Sequence, residues 1–303
     1  MNTSDYQTHV QKHRPNIKEN SAHTYAVTLR SIAPKDATDF SWVTDTDYVF
    51  KAIEKYKDNT RKNILNALIV VLPKDSEEFK TYTKERDHYN QLYTDHNKAR
   101  KKTESQEKNW VEWPDYKAMV KELGQEAKAL RGTLSARERV RFQDYLIALL
   151  YSHYPLRNDF GDVRVITRAK FKKLPASKSE NYLVKDKDSF TLMLNEYKTS
   201  KTYGEKTIEM NAEVSKVIRR WFRTNKSGYL LADSTHADKP LGSNGITKSL
   251  ARTGERKFNK RLGSSLLRHS YLSHKYADVA EEKAKDADMM GHSVEMADGY
   301  IKT

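Results

Sequence analysis

The chain has 303 residues, with Lys+Arg 55 against Asp+Glu 41 and a formal net charge of +14, an excess that suits a polyanionic partner such as nucleic acid. It contains no cysteine, which excludes disulfides, thiolate zinc sites and a cysteine nucleophile. No apolar run is long enough to span a membrane, and residues 1–20 lack the apolar stretch of a secretory signal, so a soluble, intracellular protein is expected.

Residues 1–20 read as a loose polar tail with little to bury. Helical spacing begins at residue 21, where Tyr25, Thr28 and Leu29 share a face. A second helix is predicted over residues 45–56 from Val49, Ile53 and Tyr56. A third, over 60–72, carries Ile64, Leu65, Leu68, Ile69 and Val71 and ends at Pro73. Residues 75–108 are charged and mostly helical in pattern. Residues 102–109 have no core-forming side chain and read as a linker. The expected organisation is a tail (1–20), a helical domain (21–108) and a second domain (109–303).

The second domain opens with a helical block over 115–154, closed by Pro155-Leu156-Arg157. The period then changes over 161–166 and 188–210. Phe190–Leu194 and Lys206–Met210 read as two strands joined by a polar turn containing Lys198, Lys201 and Gly204, hence a hairpin. Helical patterns return from Ala212. The fold class expected is α+β, mainly helical with a small sheet.

Four pieces of this domain form a constellation. They are Arg157 after an apolar helix, Lys198 at the hairpin turn, Leu267-Arg268-His269, and Gly291-His292 followed by Tyr300. Each alone has an ordinary explanation: a surface ion pair, a solvated lysine, a helix cap, a packing tyrosine. Their order in one basic chain is what carries weight.

That order resembles the tyrosine recombinase (integrase) family, over most of residues 115–303 and more faintly over 21–108. The surroundings of Arg157 are closer to integrases of large DNA viruses and virophages than to bacterial ones. The resemblance implies a helical core-binding domain, which grips DNA, followed by a catalytic domain. Tyr300 would be the nucleophile, Arg157 and Arg268 the phosphate clamp, Lys198 the general acid (with Lys201 the alternative), and His292 would hydrogen-bond the phosphate or assist proton movement.

The chemistry suits these residue types. A tyrosine oxygen, with a reference pKa of about 10, needs an electropositive setting to attack. Two guanidiniums stabilise the charge that builds on the phosphorane, and an ammonium protonates the leaving 5′-oxygen. The 3′-phosphotyrosyl link conserves bond energy, so no metal, ATP or other cofactor is expected. The implied partners are double-stranded DNA and, as a homotetramer, three further copies on two DNA sites, with no membrane involved.

The sequence also departs from the family pattern. Ser265 stands where a histidine is usual, and neighbouring His269 points elsewhere on the helix. Phe160 replaces the carboxylate after the first arginine, leaving Asp159 or Asp162 to support Arg157. The interval from His292 to Tyr300 is short, and the further helix many relatives carry beyond the nucleophile does not follow here. Contacts to DNA outside the centre are expected from Lys248, Arg252, Arg256, Lys257, Lys260 and Arg261 on a groove-facing helix. In the first domain Arg61 and Lys62, at a helix start, are candidates to meet phosphate, with a plain exposed helix start the alternative reading. Two other readings stay open: a catalytically degenerate DNA-binding protein, and a nicking-resealing enzyme like a type IB topoisomerase.

Overall fold

The computed structural model describes every residue except 176, 177, 237, 302 and 303, and the chain divides into two compact units, Met1–Lys102 and Thr103–Thr303. The division falls slightly before the expected one. The presumed linker carries a short helix, Glu104–Asn109, opened by a reciprocal cap between Thr103 and Gln106.

The first unit is helical: α1 (Thr3–His13), α2 (Glu19–Ile32), α3 (Thr46–Ile53), α4 (Asp58–Val71) and α5 (Glu77–Lys98), with a 3-10 turn at Ser41–Thr44. Residues 1–20 are not a loose tail. Asn2 caps α1 in a reciprocal box with Asp5, and Tyr6 and Val10 are buried against the core formed by Leu29, Leu65 and Leu68. Two apolar side chains one turn apart suffice to seat a short polar helix, and they were too sparse to register as a pattern.

In the second unit α6 (Glu104–Asn109), α7 (Trp113–Ala129) and α8 (Ala136–His153) precede the sheet. Every residue from Phe142 to Tyr151 is buried, so α8 is the spine of the core. Four strands follow: β1 (Arg164–Thr167), β2 (Tyr182–Lys185), β3 (Phe190–Leu194) and β4 (Lys206–Glu209), in spatial order β1-β2-β3-β4. The expected hairpin is β3–β4, with Leu194 opposite Lys206 and Thr191 opposite Glu209. β2, which pairs parallel to β1 and antiparallel to β3, had no separate signal in the sequence.

Two single-turn helices, α9 (Arg168–Phe171) and α10 (Ser200–Tyr203), interrupt the sheet connections. α11 (Ala212–Trp221), α12 (Gly242–Phe258), α13 (Ser264–Met289) and α14 (Val294–Tyr300) complete the unit. The α+β, mainly helical class is as expected. Among the described residues no helix is long and apolar enough to cross a membrane.

Candidate active site

The turn after α8 is built to hold Arg157. Tyr151, fully buried in the last turns of α8, donates its hydroxyl hydrogen bond to the Arg157 carbonyl at 2.7 Å and stacks edge-on against Phe160. Asn158 reaches across to α12, donating to the Ser243 carbonyl (3.1 Å) and the Thr247 hydroxyl (3.0 Å). Gly161 seats the turn. A Cβ there would stand 2.6 Å from the Gly242 carbonyl carbon, and the Gly161 carbonyl accepts from the Gly242 N–H at 3.1 Å. Phe160 is therefore a core residue, which explains why no carboxylate occupies its position.

Asp159 supplies the charge instead. It is half-buried, and burial pushes its carboxyl up, against the opposing pull of Arg157, Arg268 and Lys206. Asp162, the alternative, is exposed. Arg268 sits near the start of α13, anchored through Leu267 in the core and through Ser270, whose hydroxyl donates to the Val111 carbonyl at 2.7 Å. Among the described residues neither arginine forms an ion pair, and Arg268 Nε is shut from solvent without a hydrogen-bond partner.

Two guanidiniums and an ammonium thus lie within electrostatic reach of one carboxylate, a positive setting that favours an anion. Tyr151 also borders it. Burial and then the Asp159 charge push its phenol well up, against the opposing pull of Ser264 and Arg268, so Tyr151 stays neutral and acts as a brace.

The hairpin lysines divide differently from expectation. Lys198 is exposed in the β3–β4 connection, and Lys201 lies on α10. Lys206, at the start of β4, is the lysine within electrostatic reach of Asp159, and its ammonium lies over the rings of Tyr197 (5.1 Å) and Tyr203 (5.5 Å). β4 is tied to the end of α8 through Tyr154, whose hydroxyl accepts from Asn211 N–H at 2.7 Å and donates to the Glu209 carbonyl at 3.2 Å. Lys206 was legible as a strand-opening basic residue, but nothing in the sequence distinguished it from its neighbours.

Ser265 and His269 are both exposed on α13. His292 and Tyr300 are together, with ring centroids 5.7 Å apart and planes inclined at 30°. Gly291 makes this possible. Its φ of +70° ends α13, and the next N–H, that of His292, returns to the Ala287 carbonyl at 2.8 Å. Ser293 then caps α14, and Lys283 pairs with Asp298 at 2.6 Å to fold α14 back on α13.

The pair is remote from the arginines. At about 1.5 Å per residue, the unbroken helix between Arg268 and Ala287 is about 28 Å long. The structure therefore assembles Arg157, Asp159 and Arg268 in one place and His292 with Tyr300 in another.

The basic residues of α12 are largely committed inside the fold. Arg252 grips buried Asp144 with two bonds (2.6 and 3.1 Å), and Ser249 donates to the same carboxylate. Lys257 bonds Glu122 and Glu126, Arg256 lies 3.6 Å from Glu126, and Lys260 donates to the Trp110 carbonyl. Lys248 and Arg261 are exposed, and the Arg261 backbone N–H bonds Asn109. In the first unit Arg61 is engaged by Tyr89 and the Glu54 carbonyl, and Lys62 lies over the Tyr93 ring. Of the expected DNA contacts, Lys248 and Arg261 keep the freest side chains.

Comparison with known protein families and with curated proteins finds no match for this chain.

Proposed function

We propose that this chain is a tyrosine-type site-specific DNA recombinase or integrase, acting on double-stranded DNA to insert or exchange a mobile or viral element. The observation that carries the reading is that Arg157 and Arg268, from segments distant in sequence, both lie within electrostatic reach of half-buried Asp159 while neither guanidinium forms an ion pair among the described residues.

A phosphodiester fits this setting by charge and by the fork geometry of arginine. The Tyr300 oxygen attacks the phosphorus, a bond forms between them, and the bond to the 5′-oxygen breaks. The phenol proton goes to solvent base or to His292, and the departing 5′-oxygen takes a proton from a hairpin lysine, Lys198 or Lys206. A 5′-hydroxyl from another strand reverses the step, so the cycle uses neither metal nor ATP. The working form on this reading is a homotetramer on two DNA sites.

The test is a covalent adduct. Protein is incubated in chelator with supercoiled DNA and with a pool of nicked duplexes of randomised sequence, denatured in detergent and resolved by size. An adduct that is lost in Tyr300→Phe and reduced roughly 10²–10³-fold in Arg268→Ala supports the reading. Relaxation of the plasmid without strand exchange would point to a topoisomerase-like enzyme.

The separation of Tyr300 from the arginines favours a second reading, a DNA-binding protein with a degenerate centre. Salt-sensitive binding with no adduct on any DNA would establish that one.

A further inference from the structure

The end of α7 carries positive charge that no acid answers. Arg220, on α11, donates to the carbonyls of Ala127 and Leu130, both at 2.7 Å, and its guanidinium lies 5.0 Å from the centre of the Phe142 ring. Arg131 donates to the carbonyls of Lys128 and Leu130. These acceptors are neutral, so they occupy donors without cancelling charge. Burial, then Arg131 and Arg223, pull the Arg220 pKa below its ordinary value. Among the described residues Arg131, Arg220 and Arg223 form no ion pair.

The same turn walls a groove of about 300 Å³, lined by Leu123, Glu126, Ala127, Leu130, Arg141 and Arg256. Leu123 and Ala127 belong to the core and Leu130 packs against it, so the floor is apolar. Glu126 is the carboxylate of the lining, and Lys257 (2.7 Å) and Arg256 (3.6 Å) already hold it. Arg141 is exposed and, among the described residues, unpaired. At about 1.5 Å per residue, Arg141 lies about 18 Å along α8 from its last residue, His153, so the groove is separate from the Arg157 turn.

We infer that this groove docks a short acidic segment of a partner protein, which seats one large apolar side chain on the floor of Leu123, Ala127 and Leu130 and sets its carboxylates against Arg141 and the arginines at the end of α7. Charge complementarity selects an acidic partner, and the planar fork of arginine suits a carboxylate. The floor selects a peptide over nucleic acid. A duplex meets proteins mainly through phosphate and sugar on a convex surface, with nothing apolar to enter a concave site. A peptide supplies both the apolar anchor and the charged rim that interfaces use. The inference is independent of the recombinase reading.

The test selects a random peptide library, displayed on phage, against the full-length protein. Enriched sequences should place Asp or Glu within a few residues of Leu, Phe or Trp. A fluorescein-labelled synthetic copy of an enriched peptide is then titrated by anisotropy in physiological salt. Its affinity should fall roughly 10-fold or more in Arg141→Glu, an exposed position whose change leaves the core intact, and again in Leu130→Asp. Replacing the peptide's apolar residue by Ser should cost a similar factor.

Enrichment without an acidic and apolar pattern overturns the inference, as does affinity unchanged in Arg141→Glu. Affinity indifferent to the Ser replacement would mean a plain polyanion surface. Displacement of the peptide by an equimolar DNA duplex would give the arginines to nucleic acid. Self-association of the wild-type protein that Arg141→Glu abolishes would give the groove to a second copy. Each of these three also overturns the peptide assignment.

Discussion

Arg252 separates a structural arginine from a DNA-reading one. Its guanidinium bonds both oxygens of Asp144, whose side chain is 7% exposed, while its own is 51% exposed. Truncating one member of a buried pair costs about 3–5 kcal/mol, because the other charge is left unpaired. Here Ser249 still donates to Asp144 at 2.6 Å, and water can enter where Arg252 lay. Screening on the open side brings the expected cost of Arg252→Ala to about 2 kcal/mol, roughly 30-fold in the unfolding equilibrium.

Urea unfolding of the full chain, followed through the fluorescence of Trp110, Trp113 and Trp221 in the second unit, measures that cost. Replacing the whole pair with apolar side chains, Asp144→Leu with Arg252→Met, should restore most of the loss. The slope of log affinity for DNA against log salt should be unchanged in Arg252→Ala under conditions where the variant is folded. An unchanged unfolding midpoint with a slope reduced by about one, the signature of a lost phosphate contact, would refute the structural assignment.

Lys248 should behave oppositely. Lys248→Ala should lower the salt slope by about one while leaving the unfolding midpoint unchanged. Gly161→Ala should cost about 1–3 kcal/mol and lower adduct formation, because a methyl 2.6 Å from the Gly242 backbone must push the Arg157 turn off α12; thermal unfolding and the adduct assay read both effects. Tyr154→Phe, which leaves the Asn211 N–H and Glu209 carbonyl without their partner, should cost about 1 kcal/mol in urea unfolding. His9 lies flat on Phe40, and burial, then His13 and Lys12, pull its imidazole from 6.5 down to about 4. The unfolded chain therefore takes a proton near pH 6.5 that the folded one refuses until about pH 4, so stability falls as pH drops through that window. Allowing for solvent screening of a partly open ring, the loss is about 1 kcal/mol, and His9→Gln should remove this component from the pH dependence of Tm.

The elements legible in the sequence were those whose signal is local and repeated. α4, with six buried apolar residues, and the β3–β4 hairpin, with polar turn residues between an apolar run and a second short strand, fall where expected. α1 and β2 were not legible. α1 is held by two buried side chains and a cap, and β2 is only four residues long, defined by its neighbours on either side. Among site residues, Arg157 stands out by its place after an apolar helix together with the family resemblance, which leaves the supporting carboxylate open between Asp159 and Asp162. Lys206 does not stand out, since what distinguishes it is proximity to a carboxylate on another segment.

The basic residues of α12 show why charge runs read poorly from sequence. The cluster is real, but Asp144, Glu122 and Glu126 on the two helices preceding the sheet meet it in space and absorb Arg252, Arg256 and Lys257. A net charge of +14 therefore says that a polyanion is favoured without saying which cations face it. Arg157 and Arg268 are the reverse case. They are isolated in sequence and unremarkable in composition, yet they come together around one half-buried carboxylate without being neutralised by it. Asp159 offsets only part of their charge, and an anionic substrate is the partner that would balance the rest.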